Sequence, residues 1–445
     1  MALSARLNNS LITNFSSFQL LNQPRSGNLK YKHINKKNKS NKLVSNKVIT
    51  NKVVTYKNII YICLVNLFIM ENKPFVFGVA TSGNNFTDRE KETSHLVMNF
   101  QHGVNTVLIS PRRWGKTSLV DKVCKLVNSE NIKVVYLDIF SCRSEKDFYD
   151  AFTSAVIKQT SSKWDEWLDN AKQFLSRISP KISFGVDPMT DFSLSLEINP
   201  KNEEIVDILQ LPENIAAKKN CKIVICIDEF QQIAEFDDSK LFQKKLRTVW
   251  QLQKNVSYCL FGSKKHLMNE LFEKKSFPFY KFGDTINLQR IPTNYWVEYI
   301  CGRFKDTGKS ISPELAEMIC EKVERHSSYV QQLAWLTWIN TDKVAKEQDF
   351  DAAYKDLLDQ NSPLFEKQTE NLSSYQLNFL RALVDGATEL SSAEVINKYN
   401  LASSSNVAII KKALIKKELI DTENRKIVIA DPVLKAWIKR ELYKM

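Results

Sequence analysis

The sequence predicts an α/β fold, a parallel sheet flanked by helices, followed by a helical region and a C-terminal unit of three helices and a β element. Three observations predict it. The apolar stretch Thr106-Val107-Leu108-Ile109 runs into Ser110-Pro111-Arg112-Arg113-Trp114-Gly115-Lys116-Thr117-Ser118 and then into a helical pattern. Ile223 to Ile227 is a continuous apolar run ending in Asp228-Glu229, which reads as a buried parallel strand with acids at its C-terminal edge. Ligands of open α/β sheets bind at that edge. Helical patterns at Ser373 to Val384, Ser392 to Tyr399 and Ser404 to Lys417 precede a short strand at Lys426 to Ala430, the plan of a winged helix.

The chemistry of the loop follows from its spacing. A strand that ends abruptly turns successive backbone N–H groups into one concavity, and the helix opening there adds the positive end of its dipole. Gly115 supplies backbone freedom, Lys116 reaches β- and γ-phosphates as a point charge, and the Thr117 hydroxyl can ligate Mg2+. Such loops usually begin with glycine; here Ser110 stands in that place, small enough for a tight turn but less tolerant of positive φ. Ser110 to Ser118 therefore reads as an ATP-binding loop, the alternative being a basic surface turn. Asp228 would hold Mg2+, commonly through water, and Glu229 would orient or deprotonate the attacking water. The alternative for that pair is an acidic helix start capping Phe230 to Ile233. Val256 to Phe261 is a further strand, and Ser263 behind it either senses the γ-phosphate or caps the next helix.

The remaining elements follow in order. Thr87 and Glu90 have capping-box spacing ahead of the apolar positions Leu96, Met98 and Phe100, with Gly103 as the stop. Leu119, Val120, Val123, Leu126 and Val127 repeat at helical spacing behind the loop. Lys133 to Phe140 is a β-branched strand, Ser144 caps the next helix, and Phe148 to Lys158 and Trp164 to Ile178 read as helical. Lys181 to Ile198 alternates around Asp187-Pro188 like an inserted hairpin. An amphipathic helix near Leu241 to Leu252 and a short strand at Asp284 to Leu288 lead to helices from Thr293 to Gln360, and Asn361-Ser362-Pro363 breaks the pattern. In the C-terminal unit, which reads as separate, Asn406, Lys411, Lys412, Lys416 and Lys417 either meet phosphates or form the solvated face of a protein-docking module.

Composition narrows the partners. The formal net charge is +13, yet eleven Lys and Arg and no acidic residue fall within residues 1–69. The rest of the chain is nearly neutral, so global charge gives no warrant for a DNA footprint. Eight cysteines stand singly with no CxxC pair, as buried hydrophobes do in a reducing, cytoplasmic compartment, and not as a metal site or disulfide frame. The apolar stretch Ile59 to Met70 is too short to span a bilayer, and no membrane partner is expected. Residues 1–69 read as disordered or translated upstream sequence, with the working protein starting at Met70; an acid-poor targeting segment and a membrane anchor are the alternatives.

The order of these motifs resembles the archaeal-type P-loop ATPase family, relatives of the AAA+ and STAND nucleotide switches. The resemblance rests on Phe86, Arg89 and Glu92 (FxxRxxE), on Pro111 to Ser118 (PRRxGKTS), on Ile227 to Gln231 (IDEFQ) and on Gly262-Ser263 followed by a helix. It rests also on Phe277 to Tyr280 (FPFY) and His326 to Leu333 (HSSYVQQL), and it covers residues 73 to 440 in order. It implies an ASCE, AAA+-like P-loop NTPase domain at 70–291, a helical lid at 292–362 and a winged-helix domain at 363–445, behind the extension at 1–69. It also implies that Lys116, Thr117, Asp228 and Glu229 act on phosphate, metal and water, that Ser263 is sensor 1, and that the Phe86 segment with Arg89 lies near the adenine. Many relatives carry an arginine soon after FPFY, where this chain has Lys281, and glycine and proline where Ser327 and Ser328 stand.

The function expected is an Mg2+-dependent ATPase that couples nucleotide state to movement of the lid and winged helix. The alternative is a nucleotide-gated switch with little turnover that regulates a protein partner or DNA through the winged helix. A small-molecule kinase shares the loop but not the lid and winged helix. Homo-oligomerisation stays open.

Overall fold

The computed structural model describes residues 73–79, 86–161, 202–423 and 426–442. The helix read at Trp164 to Ile178, the hairpin read at Lys181 to Ile198 and the N-terminal extension lie outside the described residues.

Among the described residues five parallel strands make the sheet: β1 Thr106–Ile109, β2 Ile132–Asp138, β3 Lys222–Asp228, β4 Val256–Gly262 and β5 Asp284–Asn287, in the order β2-β3-β4-β1-β5. β4 thus separates β1 from the acid-tipped β3, with Ile109 opposite Gly262 and Leu260 opposite Ile227. From Ile223 onward β3 is buried, as is all of β4, which is why both read as unbroken apolar runs. Helix α1 Glu90–His102 precedes β1, and α2 Lys116–Val127 leads from β1 to β2. α3 Glu145–Thr160 and α4 Asn202–Lys219 stand between β2 and β3, α5 Ser239–Trp250 between β3 and β4, and α6 Lys265–Glu273 between β4 and β5. Leu96 and Phe100 of α1 pack with Leu119 and Val123 of α2 in one core, while Phe148, Phe152, Phe242 and Trp250 belong to another.

Ser144 caps α3 in a reciprocal box with Asp147. The box expected of Thr87 and Glu90 does not form. Asp88 and Arg89 both take left-handed backbone conformations, the cap position falls on Arg89, and Thr87 Oγ1 donates instead to the Tyr295 carbonyl.

The lid comprises α7 Thr293–Asp306, α8 Pro313–Lys322, α9 Ser327–Asn340 and α10 Glu347–Glu370. Behind it come α11 Ser374–Val384, α12 Ala393–Lys398, α13 Ser404–Lys416, the antiparallel pair β6 Ile420–Glu423 and β7 Lys426–Ile429, and α14 Pro432–Trp437. The break expected at Asn361-Ser362-Pro363 is absent, because α10 runs through Pro363. Proline removes the N–H that would pair with the Asp359 carbonyl, but Leu357, Leu358 and Phe365 hold both halves of the helix in one core. That core extends from Trp296 and Leu333 in the lid to Leu414 and Trp437 beyond it. The C-terminal unit is therefore not separate from the lid: the two share a continuous apolar interior. Of the polar residues expected on its exposed face, Asn406 donates to the Leu401 carbonyl and Lys417 to the Asn371 carbonyl, so both serve the local fold. Lys412 and Lys416 are exposed and Lys411 is half-buried.

Candidate nucleotide site

Between β1 and α2 the chain turns twice through left-handed conformations, at Arg113 (φ 62°) and Gly115 (φ 88°). The second turn delivers the first N–H groups of α2 to a cavity of about 610 Å³ at the C-terminal edge of the sheet. Arg112, Arg113, Trp114, Gly115, Lys116, Thr117 and Ser118 line it, together with Asp228, Glu229 and Ser263. Ser327, Ser328 and Gln331 close it from the lid, and Val76, Phe77, Phe86 and Trp296 make its walls partly apolar. Ser110 and Pro111 are not on the cavity wall; their carbonyls accept the Lys116 ammonium.

Lys116 is 6% exposed, and its Nζ donates to the carbonyls of Ser110 (3.0 Å) and Pro111 (2.8 Å) and to Ser110 Oγ (3.2 Å). The serine in place of glycine thus adds one acceptor for the lysine. Burial pulls the ammonium down to about 8, against the opposing pull of Asp228 and Glu229.

Asp228 receives three donors: Thr117 Oγ1 at 3.0 Å and the Tyr136 hydroxyl at 2.8 Å, both on Oδ2, and the Glu229 N–H on Oδ1 at 2.8 Å. Burial raises its carboxyl above the usual range, and the Tyr136 and Glu229 hydrogen bonds work against that shift. A hydroxyl and a carboxylate side by side are hard oxygen donors of the kind Mg2+ takes, one or two from protein and the rest from phosphate and water. Among the described residues no cluster of three metal-ligating side chains competes with them.

Glu229 precedes a short 3-10 turn, Phe230–Glu235, but its side chain does not cap it. The carboxylate instead accepts Gln231 Nε2 and Ser263 Oγ, the latter at 2.9 Å. Ser263 does not cap α6 either, since Lys264 holds that position; its Oγ also accepts Arg112 Nε at 3.1 Å. Arg89, 3% exposed, is engaged by Glu92 (2.8 Å) and by the carbonyls of Gln289 (2.7 Å) and Trp114 (3.5 Å), which ties α1 to the loop. Phe86 lies under Lys122, whose Nζ is 4.1 Å from the ring centroid.

Several residues at the site escape sequence reasoning. Tyr136 and Gln231 carry no spacing signal toward the acids they touch. Residues 73–79 are held by Phe75, packed against Tyr299 and Phe304, and by Arg303, which donates to the Pro74 carbonyl at 2.9 Å. Their apolar run Pro74 to Val76 was the available signal.

A parallel sheet in which one strand separates the strand of the phosphate-type loop from an acid-tipped strand, a helical lid and a hairpin-bearing C-terminal unit define a P-loop ATPase with an AAA+-like fold. Residues 86–291 match the family described as an ATPase domain predominantly from Archaea, and residues 363–440 match a probable winged helix domain. The chain carries an archaeal-type P-loop ATPase domain with a C-terminal winged helix. A Walker-type ATPase of Pyrococcus abyssi is similar in fold, with TM-score 0.60 and 17% identity over 82% of this chain and 99% of that one. The ORC2 protein of Aeropyrum pernix, in ADPNP–ADP complexes, gives TM-score 0.49 and 15% identity over 80% of this chain and 95% of that one. No curated protein matches the sequence.

Proposed function

We propose that this chain binds ATP with Mg2+ in the cavity between sheet edge and lid, hydrolyses it, and passes nucleotide state to the lid and winged helix. One observation supports the reading above others: Lys116, Thr117, Asp228 and Glu229, from two segments over a hundred residues apart, line one cavity. The first N–H groups of α2 and the Lys116 ammonium hold the β- and γ-phosphates, the lysine exchanging loop carbonyls for phosphate oxygens. Thr117 and Asp228 hold Mg2+, which when bound neutralises phosphate charge. Glu229 takes the proton of the attacking water, and Ser263, between Glu229 and Arg112, senses the γ-phosphate. Phe86 and its apolar neighbours pack the adenine. Arg112 carries the signal outward: besides Ser263 it faces Glu418 of the winged helix at 3.9 Å, so a γ-phosphate that draws the guanidinium inward weakens that contact.

Binding calorimetry and phosphate release test the assignment. Lys116→Ala loses nucleotide binding, and Glu229→Gln binds ATP but turns over at least about tenfold more slowly. Unchanged hydrolysis in both variants removes the assignment.

A slow switch with little turnover is favoured by Lys281. Its ammonium lies 5.7 Å from the Tyr280 ring centroid and it is not on the cavity wall, whose basic residues are Arg89, Arg112, Arg113 and Lys116. Tight nucleotide binding with turnover near background selects this reading. Gel shifts with and without ATP at rising salt then separate DNA from protein as the output.

A further inference from the structure

Tyr136 belongs to no motif, yet its hydroxyl ends on the carboxylate assigned above to the metal. It stands in the middle of β2, opposite Cys226 of β3, and donates at 2.8 Å to the same Asp228 oxygen that accepts Thr117. The Thr117 hydroxyl has one hydrogen and two lone pairs, so donating to Asp228 leaves it able to ligate a cation. Tyr136 has no such second task. Its donation, with that of the Glu229 N–H to the other oxygen, fixes a carboxylate whose terminal torsion is otherwise soft.

The phenol is itself held. Among the described residues β2 is an edge strand, with no strand paired on its outer side. There Gln159 of α3 accepts the Tyr136 N–H and donates to its carbonyl, both at 2.8 Å, as a neighbouring strand would. The ring packs near Phe261, with centroids 6.2 Å apart and planes inclined by 56°.

We propose that Tyr136, pinned at the sheet edge by Gln159, is the positioning residue that orients Asp228 toward Mg2+ in the nucleotide complex. The inference rests on the assignment of Asp228 made under the proposed function. Without the phenol, Oδ2 keeps only the Thr117 hydroxyl and Oδ1 the Glu229 N–H, and the carboxylate plane is held less firmly toward the metal.

Tyr136→Phe keeps the ring and its contact with Phe261 and removes only the oxygen. The full-length chain is titrated calorimetrically with a non-hydrolysable ATP analogue, once in Mg2+ and once in EDTA. The expected result is an affinity about tenfold weaker in Mg2+, the scale of one hydrogen bond to a charged group, with unchanged affinity in EDTA. Gln159→Ala gives a smaller loss of the same kind. A loss equal in Mg2+ and EDTA means that Tyr136 only supports the fold, and overturns the proposal. Asp228→Asn separates the two levels. If it leaves the Mg2+ dependence intact, the assignment of Asp228 itself fails. If it removes that dependence while Tyr136→Phe matches the wild type, the role of Tyr136 alone is refuted.

Discussion

Glu229 sits in left-handed backbone conformation at φ 54°, a sparsely populated position for a residue with a side chain and the sort of strain that gathers at functional sites. That turn swings its carboxylate to Gln231 and Ser263 instead of leaving it to cap the next turn. Gly262 permits the arrangement, since a Cβ there would stand 1.7 Å from Gln231 Oε1. The motif residues were legible because each carries its chemistry in its type and spacing. Gln231 was present in the motif without a role, for its role is a contact. His326 behaves similarly. It is 8% exposed with Nδ1 unpartnered, and burial, reinforced by Arg113 and Arg290, pulls the imidazole from 6.5 to about 3. The unfolded chain therefore takes up this proton before the native one does, and stability is lost as pH falls through that window. Thermal unfolding of His326→Gln should decline less steeply than that of the wild type between about pH 7 and pH 5. Parallel curves would locate the acid lability in other groups.

At the level of elements, the strands were the most readable parts. β3 and β4 lie inside the sheet and are covered on both faces, so their sequences are apolar without interruption. Helix boundaries were less so. Two left-handed residues displaced the start of α1, and α10 continued through a proline that local rules would make a terminus. Propensity is a small local preference, and burial of Leu357, Leu358 and Phe365 outweighs it. Pro363 is exposed, so Pro363→Ala loses no packing and restores a backbone donor. A gain of about 1–3 kcal/mol is expected from urea unfolding midpoints at unchanged m-value. No gain would mean that the helix is already relaxed around the ring.

Across the whole molecule, apolar packing joins the lid to the winged helix and to Phe75 and Ile291 of the ATPase domain, while ion pairs tie the ATPase domain to the winged helix and to Glu324 of the lid. Lys265 meets Asp421 at 2.8 Å, Arg290 meets Glu423 at 3.0 Å and Glu324 at 3.5 Å, and Arg112 faces Glu418 at 3.9 Å. Partly exposed pairs of this kind contribute about 0–1 kcal/mol each, which makes the contact easy to exchange. Asp421→Lys should therefore separate the winged helix from the ATPase domain, read as a lower energy-transfer efficiency between dyes on the two, and adding Lys265→Asp should restore it. Equal values for the single and double variants would show that this pair does not hold the contact. By itself the sequence determined the sheet, the loop, the acid pair and the order of lid and winged helix, because period, residue type and spacing are local properties of a chain. Only the tertiary structure decided that Tyr136 meets Asp228, that Gln231 meets Glu229, and that lid and winged helix share a core. Those outcomes depend on which distant side chains the packing brings within a few ångströms, and no local pattern encodes that distance.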